Sequence, residues 1–398
     1  MNTILGISLY PGLDNTPGEN RRLLHEAAAL GFRRVFTSLQ IPETRADVLR
    51  REVRSLFGEA AALGLDIIAD VSPAACGLLG IPEVTPAWLQ KARLTTVRFD
   101  FGSDADRIAA FSRELPVQLN ASTLRQDDLD ALRRAGADLS RLEGLHNFYP
   151  HPHTGLSADY VQQQNALLHR NGLRAGLFLA GRAGRRAPLH EGLPTVEAWR
   201  DLTPALAAAP ALATGCDFLI LSESRPSLEE MQGLVTAVQD WEANTEPAAG
   251  RPAAPAAAPA AAAAPLVFHV KPAAGAAAVL KRLWDRPLTN RQDPAAECIR
   301  VAEGRPLLQD LAIPAARAKT AARTTGTHPE GTLPTASLPI GTLCVDNDRY
   351  GRYKGEVEIL LTPRPADPRT NVLGRIAPED AGKLRAVGPG TSFRLLRA

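Results

Sequence analysis

Asp66-Ile-Ile-Ala-Asp-Val71 and, after a stretch of helical spacing, Thr96-Val-Arg-Phe-Asp100 are short apolar, β-branched runs that end in polar residues. The same unit recurs outward from this pair in both directions: Ile4 to Tyr10, Arg34 to Ser38, Val117 to Asn120, Leu142 to Asn147, Arg174 to Leu179 and Asp217 to Ser222. Between the runs lie helix-like segments such as Glu19 to Gly31 and Asp128 to Gly136, closed by a glycine that suits a left-handed helix C-cap. Strand then helix, repeated eight times, predicts an α/β fold of the (β/α)₈ TIM-barrel type over residues 1–244. Chemistry in such barrels sits on the loops after the strand C-termini.

The chain has 398 residues, 45% of them hydrophobic, which is enough for two cores. Residues 245–265 are almost entirely alanine and proline. Frequent proline prevents a helix there, so the segment is expected to be a semi-extended linker. Beyond it, over 266–398, short strand candidates at Val267–Val270, Thr342–Asp346, Gly355–Leu361, Val372–Ile376 and Ser392–Leu396 predict a small, mostly-β domain. The stretch 273–335 supports neither a helical period nor strand alternation.

A net charge of +2, from 45 basic and 43 acidic residues, gives no electrostatic case for nucleic acid or an anionic membrane as partner. Four widely spaced cysteines argue against a disulfide framework or structural zinc. No signal-peptide pattern opens the chain and no long apolar run follows, so a soluble, cytoplasmic protein is expected. Oligomeric state is not legible in the chain.

The strand ends supply Ser8, Tyr10, Ser38, Asp70, Arg98, Asp100, Asn120, His146, Asn147, Tyr149 and Glu223. A solvated rim would favour Lys and Glu, whereas short or rigid polar side chains lose little entropy on binding a small polar ligand. Asp70 and Asp100 end adjacent strands, and a carboxylate pair suits glycoside hydrolysis; each could equally cap a helix or pair with Arg98. Glu191 and Glu223 compete for the same catalytic roles. His146-Asn-Phe-Tyr-Pro-His-Pro-His153 is stiffened by two prolines and holds no Cys, Asp or Glu, so it is expected to contact ligand rather than a metal. Phe148 or Tyr149 would stack on a sugar ring. After the seventh strand, Arg182, Arg185 and Arg186 lie among glycines, a pattern that suits a phosphate and equally a solvated basic loop, with the glycines favouring ligand approach. In the second domain, Val345 to Gly355 interleaves Arg349 and Arg352 with two tyrosines; it reads as a polar hairpin and would also serve as a lid or clamp over an anionic sugar.

These motifs resemble the bacterial 6-phospho-N-acetylmuramidases. In the barrel the likeness rests on Ile7 to Tyr10, Gly31 to Pro42, Ala69 to Pro73, Arg98 to Gly102, Leu119 to Thr123, His146 to Pro150, Thr154 to Leu156 and Pro188 to Thr195. In the second domain it rests on Ile340 to Glu356 and Asn371 to Ile376. The resemblance implies a barrel joined to a cyclophilin-like β domain. It further implies a cytoplasmic hydrolase that cleaves N-acetylmuramic acid 6-phosphate from N-acetylglucosamine during cell-wall recycling. Its partner would be that small phosphorylated amino-sugar disaccharide, with no cofactor and no metal required. The Ala/Pro segment, the His-rich loop after Tyr149 and Leu219-Ile-Leu-Ser-Glu-Ser224, which lacks an expected Gly-Asp, depart from the family pattern. The rival readings are a non-catalytic sugar-phosphate binding protein and a barrel lyase or isomerase. The latter would want a Schiff-base lysine or metal ligands at strand ends, and neither is apparent.

Overall fold

The computed structural model describes residues 3–100, 104–245, 266–316 and 337–398. The chain divides into two compact units, Met1–Ala258 and Pro259–Ala398. The expected linker falls, from residue 246 onward, outside the described residues.

The first unit is a closed barrel of eight parallel strands in sequential order, β8 pairing with β1. In chain order it runs β1 (Ile4–Ser8), α1 (Pro17–Ala29), β2 (Arg34–Ser38), α2 (Ala46–Ala62), β3 (Asp66–Val71), α3 (Pro73–Leu79), α4 (Pro86–Lys91), β4 (Thr96–Phe99), α5 (Ala105–Ser112) and β5 (Val117–Asn120). It continues with α6 (Gln126–Arg134), β6 (Leu142–Leu145), α7 (Ala158–Arg170), β7 (Arg174–Leu179), α8 (Pro204–Ala213), β8 (Phe218–Leu221) and α9 (Leu228–Asn244). Four helices start from a Ser/Thr-Pro pair. The hydroxyls of Thr16, Ser72, Thr85 and Thr203 accept a first-turn N–H, while the following proline occupies a position that needs no donor.

Strand alternation sorts the barrel into two apolar layers. Ile7, Val35, Ile67, Val97, Leu177 and Leu219 point outward under the helices. Phe36, Ile68, Leu145, Phe178, Phe218 and Ile220 fill the barrel interior. Gly176 makes room for this filling, because a Cβ there would lie 2.0 Å from the Phe218 ring. The floor is closed by charge: Arg34 donates to both oxygens of Glu143 at 2.8 and 3.0 Å, with Gln118 and Arg174 completing the set. The parity that sends Phe36 and Ile68 inward also sends Ser38 and Asp70 to the mouth.

The second unit adds β9 (Leu266–Pro272), α10 (Ala277–Leu283), β10 (Leu288–Thr289), β11 (Cys298–Arg300), α11 (Gly304–Leu308), β12 (Ser337–Leu338), β13 (Thr342–Asp346), β14 (Val357–Leu360), β15 (Arg364–Pro365), β16 (Thr370–Ile376) and β17 (Ser392–Arg397). Seven strands form one sheet in the order β10-β17-β9-β16-β13-β14-β11, and β12 pairs with β15. Its apolar core includes Phe268, Leu280, Ile299, Val345, Ile359 and Phe393. All five expected strands are present. The stretch that showed no period contains α10, β10, β11 and α11, elements too short to impose one, and residues 317–336 lie outside the described residues.

Candidate active site

Around the ends of β3 to β6 the barrel gathers a connected set of charged and amide side chains. Asp70, at 6% exposure, takes the Arg98 Nη1 hydrogen bond on Oδ1 at 3.1 Å. Its Oδ2 accepts from Gln40 Nε2 at 2.7 Å and from the Ser38 hydroxyl at 3.2 Å. Arg98 also donates to Asn147 Oδ1, and its Nη2 lies 3.8 Å from Asp100. Asp100 Oδ1 in turn accepts from Asn120 at 2.8 Å and Asn147 at 3.1 Å. One guanidinium therefore stands between two carboxylates. Burial pushes the Asp70 carboxyl up to about 6, against the opposing pull of Arg98 and with the help of the Asp100 charge. A carboxylic acid that keeps its proton to pH 6 is a competent general acid.

The side of the mouth formed by β1, β7 and β8 is apolar and aromatic. The Arg186 guanidinium is 2% exposed and lies between two rings, 4.8 Å from that of Tyr10 and 4.9 Å from that of Phe148. Its Nε and Nη1 are buried and meet no hydrogen-bond acceptor. Unpaired donors on a buried cation are costly, and an anionic oxygen would satisfy them. Tyr10 donates its hydroxyl to the Ser222 carbonyl at 2.8 Å, and burial pushes its phenol up to about 12.

Several residues expected at the mouth are used otherwise. His146 is fully buried on the outward parity of β6. Its Nε2 lies 3.0 Å from Asn165 Oδ1 and its Nδ1 3.3 Å from the Ser122 hydroxyl, which accepts the Asn147 N–H. Burial drives His146 down to about 4, so it is a neutral brace that positions Asn147 rather than a ligand contact. Tyr149 packs into the layer beneath the helices, and Phe148 takes the inward place among Phe36 and Phe178. Glu223 is fully buried, with Oε1 accepting from the Leu193 N–H and Oε2 from the Arg186 N–H, so it ties down the loop after β7. Burial raises its carboxyl. Glu191 lies half-buried in that loop, its carbonyl accepting from Arg200 at 3.3 Å.

Of the three loop arginines, Arg182 is exposed, and Arg185 is spent on the carbonyls of Gly181 and Arg200 and on Asp201. Only Arg186 turns into the barrel. Ser8 is buried on the inward parity of β1. In the second unit, Arg349 is exposed, and Arg352 stacks on Tyr353 at 5.2 Å. Tyr350 belongs instead with Arg369 and Asp367.

Sequence reasoning missed Gln40, which the inward parity of β2 extends to, and the buried pair Glu197–Arg200. Glu197 accepts the N–H groups of His153 and Gly155, while Arg200 donates to the carbonyls of Tyr149, His151 and Gly192. Together they stitch the His-rich loop to the loop after β7. Among the described residues, no group of three His, Cys, Asp or Glu side chains is placed to hold a metal ion. No described helix is long and apolar enough to cross a membrane.

A closed (β/α)₈ barrel whose strand ends gather paired carboxylates, an arginine and amides at one mouth has the layout of a barrel enzyme. The chain belongs to the 6-phospho-N-acetylmuramidase family: the family's N-terminal model matches residues 5–236 and its C-terminal model residues 266–396. Two solved structures are similar along the whole chain. A conserved Enterococcus faecalis protein of unknown function is 27% identical, covering 99% of this chain and 96% of that one, with a TM-score of 0.53. An uncharacterized B. cereus protein is 25% identical over 100% of both chains, with a TM-score of 0.52. No curated protein is matched.

Proposed function

We propose that this protein is a glycoside hydrolase that cleaves N-acetylmuramic acid 6-phosphate from N-acetylglucosamine at the mouth of the barrel. The observation that carries the reading is the Asp70–Arg98–Asp100 arrangement, with one carboxyl held near pKa 6 beside a second carboxylate. Asp70 protonates the leaving oxygen. Asp100, its Oδ1 occupied by Asn120 and Asn147, turns Oδ2 to the sugar and acts as nucleophile or orients the acetamido group as an internal one. Ser38 and Gln40 hold Asp70 in place while its proton leaves.

Arg186 receives the substrate's anionic group, the phosphate or the lactyl carboxylate. Its missing hydrogen-bond partners support that role, and the Phe148 ring offers an apolar face to the pyranose. The cytoplasmic setting and the place in cell-wall recycling follow from the family's substrate and belong to the same proposal.

The test is product release from the β-1,4-linked phosphorylated disaccharide beside its unphosphorylated counterpart, using wild type, Asp70→Asn and Asp100→Asn. Cleavage confined to the phosphorylated sugar, and lost in at least one variant, is expected. Tight binding of the disaccharide without turnover would instead establish a binding protein.

A further inference from the structure

The outer layer of barrel helices holds a concavity that gathers cations without acids. Between α2, α3 and α4 a cavity of about 370 Å³ is lined by Arg50, Arg54, Lys91 and the half-buried Trp88, over an apolar floor that includes Val53 and Leu79. Among the described residues, no acidic side chain lines it. Arg50 and Arg54 stand one turn apart on α2, a like-charge spacing that weakens a helix. Asp47, one turn before Arg50, is committed to Arg51 at 2.9 Å, and Glu59 on the same helix lies 3.2 Å from Arg21. Neutralised arginines thus surround the cavity, whereas Arg50, Arg54 and Lys91 form no ion pair among the described residues. The one side-chain hydrogen bond of the three runs from Arg50 Nε to the Leu78 carbonyl at 2.8 Å. It fixes Arg50 at the end of α3 and leaves both terminal nitrogens of its fork unspent.

Three cations around one concavity focus a positive field there. Two arginine forks beside a lysine match the oxygens of a compact dianion, and the volume falls within the ~300–1,000 Å³ range of small-ligand sites. An extended polyanion is disfavoured, because the chain as a whole carries a net charge of only +2. The apolar floor and the indole call for an organic body behind the anion, and an indole suits the apolar face of a pyranose. We infer that this concavity is a second ligand site, outside the barrel mouth, for the phosphate monoester of a sugar. Arg50, Arg54 and Lys91 hold the phosphate, and Trp88 meets the sugar ring. The site stands whether or not the barrel hydrolyses the disaccharide.

The experiment is fluorine NMR of the full chain with fluorotryptophan at its four tryptophans, the Trp88 resonance being assigned from Trp88→Phe. Glucosamine 6-phosphate, glucosamine and inorganic phosphate are titrated separately, with sodium chloride holding ionic strength constant. The phosphorylated sugar should shift Trp88 along a saturating curve, inorganic phosphate should bind more weakly, and glucosamine should leave the resonance in place. In Arg54→Gln/Lys91→Gln, whose fold is checked by unmoved Trp199, Trp241 and Trp284 resonances, the dissociation constant read at Trp88 should rise by about tenfold or more. An equal response to glucosamine, or an unchanged constant in the double variant, would overturn the site. A shift at Trp199, beside Arg200, with Trp88 unmoved would confine the anion to the barrel loops and overturn it too. Equal affinity for inorganic phosphate would overturn the sugar assignment. Because turnover is measured separately, a silent Trp88 with hydrolysis intact rejects this site alone.

Discussion

The loop after β7, together with its β8 anchor, and the strand ends of β3 and β4 are built from the same residue types, yet their charges have opposite fates. Behind the loop, Glu223 is filled by two backbone N–H groups, while Glu197 pairs with Arg200 and closes the bonding of a neighbouring turn. At β3 and β4, Arg98 is shared by two carboxylates, one of which keeps its proton to about pH 6. Burial raises both carboxyls, but Glu223 is held by the backbone N–H groups of a loop, whereas Asp70 is bonded by side chains at the mouth beside a second carboxylate. The difference lies in who satisfies the lone pairs, which residue type and strand position do not disclose.

The hardest way to break this contrast is to neutralise each side in turn. Asp70→Asn should lower kcat/KM for the phosphorylated disaccharide by about 10²–10⁴-fold with an unchanged near-ultraviolet spectrum, the range general-acid catalysis commands. Steady-state kinetics at pH 6 decides it; a loss below tenfold removes Asp70 from the reaction. Arg200→Ala should instead act on stability, costing about 3–5 kcal/mol by leaving Glu197 buried without its cation. Urea unfolding measures that cost, and a change under about 1 kcal/mol would mean that the pair is not the brace the contacts describe.

The fold was legible because every barrel strand obeys one parity and most barrel helices open on a Ser, Thr or Asp cap. Inward residues of β2, β3, β4 and β5 are the same ones that carry polarity at the mouth, so Ser38, Asp70, Arg98 and Asn120 could be named from strand ends. Beyond a strand end the rule decays. His146 continues the outward parity of Leu142 and Gly144, a signal present in the chain but overruled by the attraction of a histidine beside two others. Phe148 and Tyr149 could not be assigned, because the chain turns after Asn147 and the Tyr149 backbone is fastened by Pro194 and Arg200 from another loop. The three arginines of the β7 loop look alike in sequence, and only tertiary neighbours distinguish the exposed Arg182, the spent Arg185 and the enclosed Arg186.

A smaller effect sharpens the picture of Asp70. Its folded pKa of about 6 exceeds the ordinary 3.8, so the folded state binds its proton more tightly than the unfolded chain does. That contribution is fully present below about pH 4 and is lost as pH rises through about 6, worth about 1–3 kcal/mol. Wild-type stability, relative to Asp70→Asn, should therefore fall across that window and run parallel to it above. The same ionisation should put the alkaline limb of kcat/KM near pH 6. A flat stability difference between pH 4 and 7 would show that Arg98 holds Asp70 charged throughout and would transfer the acid role elsewhere.

The smallest effect separates Arg186 from its neighbour in sequence. Arg182 projects into solvent, and only its backbone N–H is engaged, by Glu230. Removing its side chain should change stability by less than about 0.5 kcal/mol and leave KM within about twofold of wild type. Arg186→Met keeps much of the volume between Tyr10 and Phe148 but removes the cation. It relieves two unpaired donors, so stability should hold or rise while KM for the phosphorylated disaccharide increases. If Arg182→Ala raised KM and Arg186→Met did not, the anion would be held at the rim, and the enclosed arginine would be packing alone.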